Sequence, residues 1–324
     1  MPIDLKNLFS TVTHKKVLVV GDLMVDEYIW GRVDRVSLEA PVIVVGVESI
    51  ECRPGGAANV ANNLRNLGAQ VSLVGLIGDD EIGAKLISML EAENIDVSGI
   101  TRDNSRPTTR KTRVLAHSQQ VVRVDHESRE RVTGEMSLRL AEIIASRIKD
   151  VDAVIVSDYE KGVICKNVVD ACFADKSPKR IVTAKTKPLN LPVFRGADVL
   201  MLNQSEAEAV VNMRLRTIGD VATAGTRIAR EYSISSVVVT CGPQGLVVCL
   251  QHGAVAPIPA IPVEVYDVAG AGDTVISVLT LALIAGAEIL DAAAIANAAG
   301  SAVVRKVGVA TVTAAEIQSI MEQT

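Results

Sequence analysis

Short runs of β-branched and aliphatic residues recur along this 324-residue chain, each followed by a stretch with helical character, and that alternation constrains the fold more than any other feature. Strands are expected at 16–22, 70–76, 153–156, 181–184, 198–202, 236–240 and 246–250, with helices at 57–66, 80–93, 133–149, 163–174, 205–212, 218–231, 272–285, 290–304 and 314–322. Runs such as Val17-Leu18-Val19-Val20 and Ala153-Val154-Ile155-Val156 have no polar side, so both their faces need cover. Such a chain is α/β: a doubly wound, mostly parallel sheet with helices on both faces. Two stretches depart from the rule. Segments 28–51 and 107–125 alternate polar and apolar residues, and they most simply form one small inserted sheet beside the main one, with a turn at His117 to Gln119. No internal repeat or long linker interrupts the pattern, so residues 1–324 are expected to form one domain.

Composition removes several function classes. Apolar residues make up 48% and aromatics 2%, which suits aliphatic strands under helices and leaves no stacking platform for single-stranded nucleic acid. A formal net charge of −5 offers no polyphosphate-binding surface, so nucleic acid is not an expected partner. Cys52, Cys165, Cys172, Cys241 and Cys249 form no CxxC pair and read as reduced, mostly buried residues. His14, His117, His126 and His252 lack zinc-ligand spacing. Lys6, Lys15, Lys16 and Asp4 leave residues 1–15 without the apolar segment of a signal peptide, and the longest apolar run, Val275–Ala287, is too short to span a bilayer. A cytoplasmic protein with no membrane partner is the expectation.

Two glycine-rich segments carry the chemistry. In Asp267-Val268-Ala269-Gly270-Ala271-Gly272-Asp273 the small residues let backbone N–H groups approach an anion, and the helix beginning near Gly272 turns its positive end to the same place. Asp273 on that first turn could cap the helix, or it could take a proton from a hydroxyl attacking a phosphoryl group. The capping role is the simpler reading of this segment alone. Far upstream lies Gly55-Gly56-Ala57-Ala58-Asn59-Val60-Ala61, followed by Gly68 and Gly78. Asp22 and Asp26 follow the first strand at its carboxyl end, where open α/β sheets bind ligands, and each can accept two hydroxyl hydrogen bonds or serve as a turn or cap residue.

The two glycine segments, in this order and at this separation, resemble the two signatures of the ribokinase-like (PfkB) carbohydrate kinases, and the resemblance runs through roughly the whole chain. It implies ATP-dependent phosphorylation of a sugar hydroxyl, with Asp273 as base and Gly270, Ala271 and Gly272 stabilising charge on the transferring phosphoryl group. It further implies sugar binding by Asp26, aided by Asp22, Gly55, Gly56 and Asn59. Asn203-Gln204-Ser205-Glu206 resembles an element that organises magnesium through water, placing Asn203 and Glu206 at the metal. Thr240, Gly242 and Gly245 resemble the loop under the ATP phosphates and ribose, and Asn297 a residue beside the adenine. A potassium site near Asp267 and the Gly308 loop, and a β lid over the sugar that joins two copies as a homodimer, are also implied.

A narrower resemblance lies in Arg106–Val114 with Gln119, Gln120, Arg123, Asp125 and Glu127, in Ser157-Asp158-Tyr159-Glu160-Lys161-Gly162 and in Lys187-Pro188-Leu189-Asn190. These are similar to the branch that phosphorylates D-glycero-D-manno-heptose 7-phosphate for ADP-heptose synthesis. An acceptor already bearing phosphate needs cations, and Lys111, Arg113, Lys161 and Lys187 are the candidates, otherwise solvated charges on strand edges. One departure is visible: the branch has an aspartate two residues before the lysine of its Asp-Pro-Lys-Pro run, where this chain has Lys185. The leading expectation is phosphorylation of heptose 7-phosphate at O1, without the appended nucleotidyltransferase of bifunctional relatives, since the sequence stops at Thr324. The alternatives are a kinase of the same family for another sugar or nucleoside, and a non-catalytic sugar-binding protein on the same fold.

Overall fold

A computed structural model describes residues 5–116, 119–174 and 180–323. The first helix, α1 (Leu5–Val12), leads into β1 (Lys16–Gly21). Alternate side chains of β1 enter opposite cores: Val17 and Val19 pack under one helical layer, Leu18 and Val20 under the other. Burial of each such side chain stabilises the fold by about 1.5–3 kcal/mol, so the all-apolar strand is held from both faces.

After β1 the chain leaves the main sheet at once, running through β2 (Leu23–Val36), β3 (Ile43–Gly56) and α2 (Ala57–Asn66). It continues through β4 (Gln70–Ile77), α3 (Glu81–Ala92), β5 (Asp96–Arg102), β6 (Thr109–Ala116) and β7 (Gln119–His126). The second half contains α4 (Gly134–Arg147), β8 (Ala153–Ser157), α5 (Lys166–Phe173), β9 (Ile181–Lys185), β10 (Val199–Asn203), α6 (Gln204–Val211) and α7 (Ile218–Glu231). Last come β11 (Ser236–Thr240), β12 (Leu246–Leu250), β13 (Val255–Ile258), α8 (Ala271–Ile284), α9 (Ile289–Val303) and α10 (Ala314–Met321).

The main sheet has nine strands in the order β13-β12-β11-β10-β9-β8-β1-β4-β5. Its pairs are parallel except β11 with β12 and β12 with β13. The expected doubly wound sheet is therefore present, and so is the small second sheet, in the order β3-β2-β6-β7. The small sheet is larger than its alternation suggested. Strand β2 begins at Leu23 where a turn was expected, and β3 continues to Gly56 through the polar segment 48–54. Pairing of Asp26 with Arg53 and of Leu23 with Gly56 draws that segment into a strand that its own composition does not favour. Two strands escaped the sequence pattern, β5 and β13. The first contains Gly99, where a Cβ would stand 2.4 Å from the Leu73 carbonyl oxygen, so its glycine marks a close backbone approach inside the sheet. The turn expected at His117 to Gln119 lies largely outside the described residues.

The topology gathers one set of strand ends. Gly21, Ser157, Lys185, Asn203 and Thr240 close β1, β8, β9, β10 and β11 on the same edge of the parallel sheet, and the small sheet rises from that edge through Asp22 and Gly56.

Candidate active site

Asp273 stands in the first turn of α8 and is 3% exposed. It does not cap the helix. The N-cap is Gly270, at φ 78° and with no side-chain cap bond, while the Asp273 carboxylate faces away toward other elements. Asn59 Nδ2 donates to its Oδ2 at 2.9 Å, Lys185 Nζ donates to its Oδ1 at 2.8 Å, and the Tyr159 hydroxyl donates to the same Oδ1. A Cβ at position 270 would lie 2.9 Å from Asn59 Nδ2, so glycine there keeps open the approach of the two motifs as well as the left-handed turn.

A buried relay fixes the Asn59 amide. The Thr274 hydroxyl donates to Asn63 Oδ1 at 3.0 Å, Asn63 Nδ2 donates to Asn59 Oδ1 at 3.1 Å, and the Asn59 amino group is thereby turned to Asp273. Burial and the Asp273 charge push the Tyr159 phenol well above its usual range, so it stays a donor. Tyr159, Asn63 and Thr274 were given no role from sequence, and Lys185 stood out only as a charge reversal that could favour an anionic substrate or mark a different acceptor. Asn63 had one legible signal, its spacing of four from Asn59 on a buried helix face.

Asp26 lies on β2, 4% exposed, ion-paired with Arg113 of β6 and close against Gly55, where a Cβ would meet its Oδ2 at 2.1 Å. Burial raises the Asp26 carboxyl, with the Arg113 charge opposing. Asp22 occupies a different kind of place. It is wholly buried, and its oxygens accept backbone N–H bonds from Tyr159 at 2.7 Å, Lys161 at 3.1 Å and Val163 at 3.1 Å. Burial and the neighbouring Asp158 charge push it up to about 6 against those three bonds. The sequence expectation set Asp22 beside sugar hydroxyls; here it braces the loop that carries Tyr159 and Lys161.

Each cation expected to meet an acceptor phosphate already has a carboxylate. Lys111 and Lys161 converge on Glu127, at 3.3 and 2.8 Å, and Lys111 also contacts Asp125 at 3.1 Å. Burial alone would raise the Glu127 carboxyl, but hydrogen bonds from Lys161 and Arg129 and the charges of Lys111 and Lys161 hold it at about 2. Lys187 stands apart from this group, bound to Glu206 at 2.5 Å.

Asn203 and Glu206 form a reciprocal capping box at the start of α6: Glu206 N donates to Asn203 Oδ1 at 2.8 Å and Asn203 N to Glu206 Oε2 at 2.8 Å. Among the described residues no cluster of three His, Cys, Asp or Glu could cage a metal ion. Both Glu206 oxygens already have partners, Oε2 the Asn203 amide and Oε1 the Lys187 ammonium, so in this arrangement the pair could act on a divalent ion only through its water shell. Beyond Thr240 a tight turn follows, with Gly242 at φ 55° and Gly245 at φ 90°. Asn297 is buried in α9, and its Nδ2 donates to the Pro259 carbonyl at 2.8 Å, fixing the segment after β13. Asp267 accepts from the amides of Ala269 and Gly308, both at 2.9 Å.

A buried carboxylate at the strand ends of a parallel sheet, next to a helix start free of a side-chain cap and beside a small β-sheet, is the arrangement of an α/β enzyme's candidate active site. The comparisons agree: residues 14–316 match the pfkB family carbohydrate kinases, and the chain belongs to that family. It is 41% identical over 315 residues to the bifunctional protein HldE of Geobacter sulfurreducens, covering 97% of this chain and 64% of that protein. It is 40% identical over 311 residues to the bifunctional protein HldE of Helicobacter pylori, covering 96% of this chain and 67% of that one. The chain thus spans about two thirds of the length of these curated relatives. Among solved structures, phosphofructokinase-2 of Escherichia coli in complex with substrates and products superposes with a TM-score of 0.79 at 20% identity, covering 95% of this chain and 98% of that one. Ribokinase of Thermotoga maritima gives 0.74 at 20% identity over 95% and 99%. These two show the shared fold.

Proposed function

We propose that this chain, as one kinase domain, transfers the terminal phosphoryl group of ATP to a sugar, with D-glycero-D-manno-heptose 7-phosphate as the acceptor and its O1 as the attacking atom. The observation that carries the reading is the placement of Asp273: buried, uninvolved in capping, and oriented by side chains from three other elements. In the proposed step the O1 proton passes to Asp273, a bond forms between O1 and the γ-phosphorus, and the bond from that phosphorus to the bridging oxygen breaks, its electron pair leaving with ADP. Gly270, Ala271 and Gly272 present the start of α8 to the phosphoryl oxygens, while Asp26, Gly55 and Gly56 hold the sugar. Magnesium, bound with ATP near Asn203 and Glu206, would neutralise phosphate charge, and a potassium ion near Asp267 and Gly308 belongs to the same reading. The loop of Thr240, Gly242 and Gly245 would carry the nucleotide, with Asn297 bracing its far wall.

The heptose assignment draws on the similarity to HldE proteins and on Lys111 and Lys161 meeting beside the lid. A kinase for an unphosphorylated sugar or a nucleoside is the second reading, favoured by one observation: Lys111, Arg113, Lys161 and Lys187 all have carboxylate partners within the chain. Measuring ADP release with ATP across phosphorylated and free sugars decides. Preference for heptose 7-phosphate supports the first reading, and preference for a free hexose, pentose or nucleoside replaces it with the second.

Two further proposals accompany this one. The lid leaves Ile43, Val47 and Ile50 of β3 and Val122 and Val124 of β7 between 46% and 57% exposed, and a second copy docking on the lid would cover them. The second is work in the cytoplasm, where ATP and sugar phosphates are found; no described helix is long and apolar enough to cross a membrane.

A further inference from the structure

Lys185 closes β9 with its ammonium against the proposed base. Nζ lies 2.8 Å from Asp273 Oδ1, 2.9 Å from the Tyr159 hydroxyl and 4.5 Å above the centre of the Tyr159 ring. It also lies 3.2 Å from the point that a Cβ on Gly272 would occupy, so it covers the first turn of α8 as well as the carboxylate. The side chain is 15% exposed. This arrangement sets a chemical difficulty. The ammonium and the Tyr159 hydroxyl both occupy Oδ1, yet the proposed transfer asks this carboxylate for a proton-accepting lone pair. The difficulty vanishes if a stronger anion takes the ammonium at the moment of reaction, and a phosphoryl group arriving at α8 would be such an anion, within a short swing of a flexible four-carbon stem.

We propose that Lys185 is a shuttling cation of the phosphoryl transfer, resting on Asp273 in the empty enzyme and moving to the oxygens of the phosphoryl group in flight. The proposal rests on the kinase reading above. In the resting state Lys185 masks and orients the base. When the nucleotide arrives, its γ-phosphoryl oxygens draw Nζ across Gly272, Asp273 keeps its bonds from Asn59 and Tyr159, and its released Oδ1 lone pair accepts the acceptor's proton. The charge on the transferring group is then neutralised by the same ammonium, while the proton and leaving-group balance is that already given. A lysine here also accounts for the reversal of charge at a position where the resembling branch carries an aspartate.

The test uses Lys185→Met, which keeps the stem and removes the charge, and Lys185→Arg, which keeps the charge. Single-turnover rates at saturating ATP and acceptor should fall about 30–300-fold in Lys185→Met, with Lys185→Arg recovering at least part of the loss. Michaelis constants for both substrates should stay within about threefold, so that the loss falls on kcat, a split that a purely structural lysine would not cause. ADP with aluminium fluoride, which mimics the group in flight, should bind Lys185→Met more weakly by a similar factor while ADP alone binds normally. Thermal melts confirm folding, and Lys185→Gln carries the same measurements should Lys185→Met not fold. Turnover within a few-fold of wild type, or unchanged binding of ADP with aluminium fluoride, overturns the shuttle. An inactive wild type across all sugars instead removes the kinase reading, so the two failures are distinct.

Discussion

Asn59 and Asp273, 214 positions apart, meet through a 2.9 Å hydrogen bond that joins the two glycine segments into one site. The asparagine holds the carboxylate from the α2 side while Lys185 and Tyr159 hold it from the sheet, which leaves Asp273 oriented before any substrate arrives.

Replacement of the proposed base is the first prediction. Asp273→Asn keeps the shape of the side chain and should keep near-normal ATP affinity, while turnover falls by roughly 10²–10⁴-fold. Single-turnover assays at saturating substrates measure it. Turnover within a few-fold of wild type would remove Asp273 from the mechanism.

The relay behind Asn59 makes a second prediction. In Asn63→Leu the buried Thr274 hydroxyl loses its 3.0 Å acceptor and the Asn59 carbonyl its donor, so stability should drop by about 1–3 kcal/mol in urea unfolding. Turnover should fall further than the folded fraction explains, because the Asn59 amide then loses the partner that fixes it and its hydrogen bond to Asp273 loosens. A variant of normal stability and rate would show the relay to be idle.

Glu127 offers a prediction in pH. Its carboxyl is depressed from the ordinary 4.5 to about 2 in the folded protein, so folding favours the ionised form. The stability it contributes is present above pH 4.5 and is lost as pH falls toward 2. The difference in melting temperature between wild type and Glu127→Gln should therefore be constant from neutral pH down to about 5 and narrow below it. A gap that widens on acidification would contradict the assignment. If Lys111 and Lys161 bind an acceptor's phosphate, the same substitution should also lower the Michaelis constant for a sugar phosphate, since the phosphate no longer competes with Glu127.

Acceptor choice gives the fourth. Arg113→Ala or Lys161→Ala should raise the Michaelis constant for heptose 7-phosphate about 10–150-fold, the cost of a charge-assisted contact, and leave that for ATP nearly unchanged. Equal effects on both constants would count against a role in acceptor recognition.

For the lid, Val47→Asp combined with Ile50→Asp should convert a dimer to a monomer in light scattering. Wild type that is already monomeric at assay concentration ends the dimer proposal.

The parallel sheet, the second sheet and the pairing of the two glycine segments were legible because apolar runs, alternation and small residues are local signals. The surroundings of Asp273 were less so. Lys185 reaches it because β9 lies beside β8 with Lys185 opposite Ser157, and Tyr159 follows in the loop after β8; neither local pattern announces that neighbourhood. The four cations were read as awaiting an external anion because Glu127 for Lys161, Asp26 for Arg113 and Glu206 for Lys187 come from separate segments that the tertiary fold brings to them, while Asp125 faces Lys111 across the β6–β7 hairpin. Asp22 looked like a ligand for hydroxyls, and its burial depends on a loop more than a hundred residues downstream.

Strand order also imposes a schedule on synthesis. Strand β1 is made well before one of its neighbours, β8, which begins at Ala153. Through the intervening stretch β1 can pair with β4 alone, and its other edge, flanked by Val17 to Val20, stays open to any passing strand. A nascent chain halted between Ile77 and Ala153 would carry an apolar half-sheet with a bare central edge, the kind of intermediate that holding chaperones capture. Pauses in translation over that interval should govern how much of the protein reaches its native form.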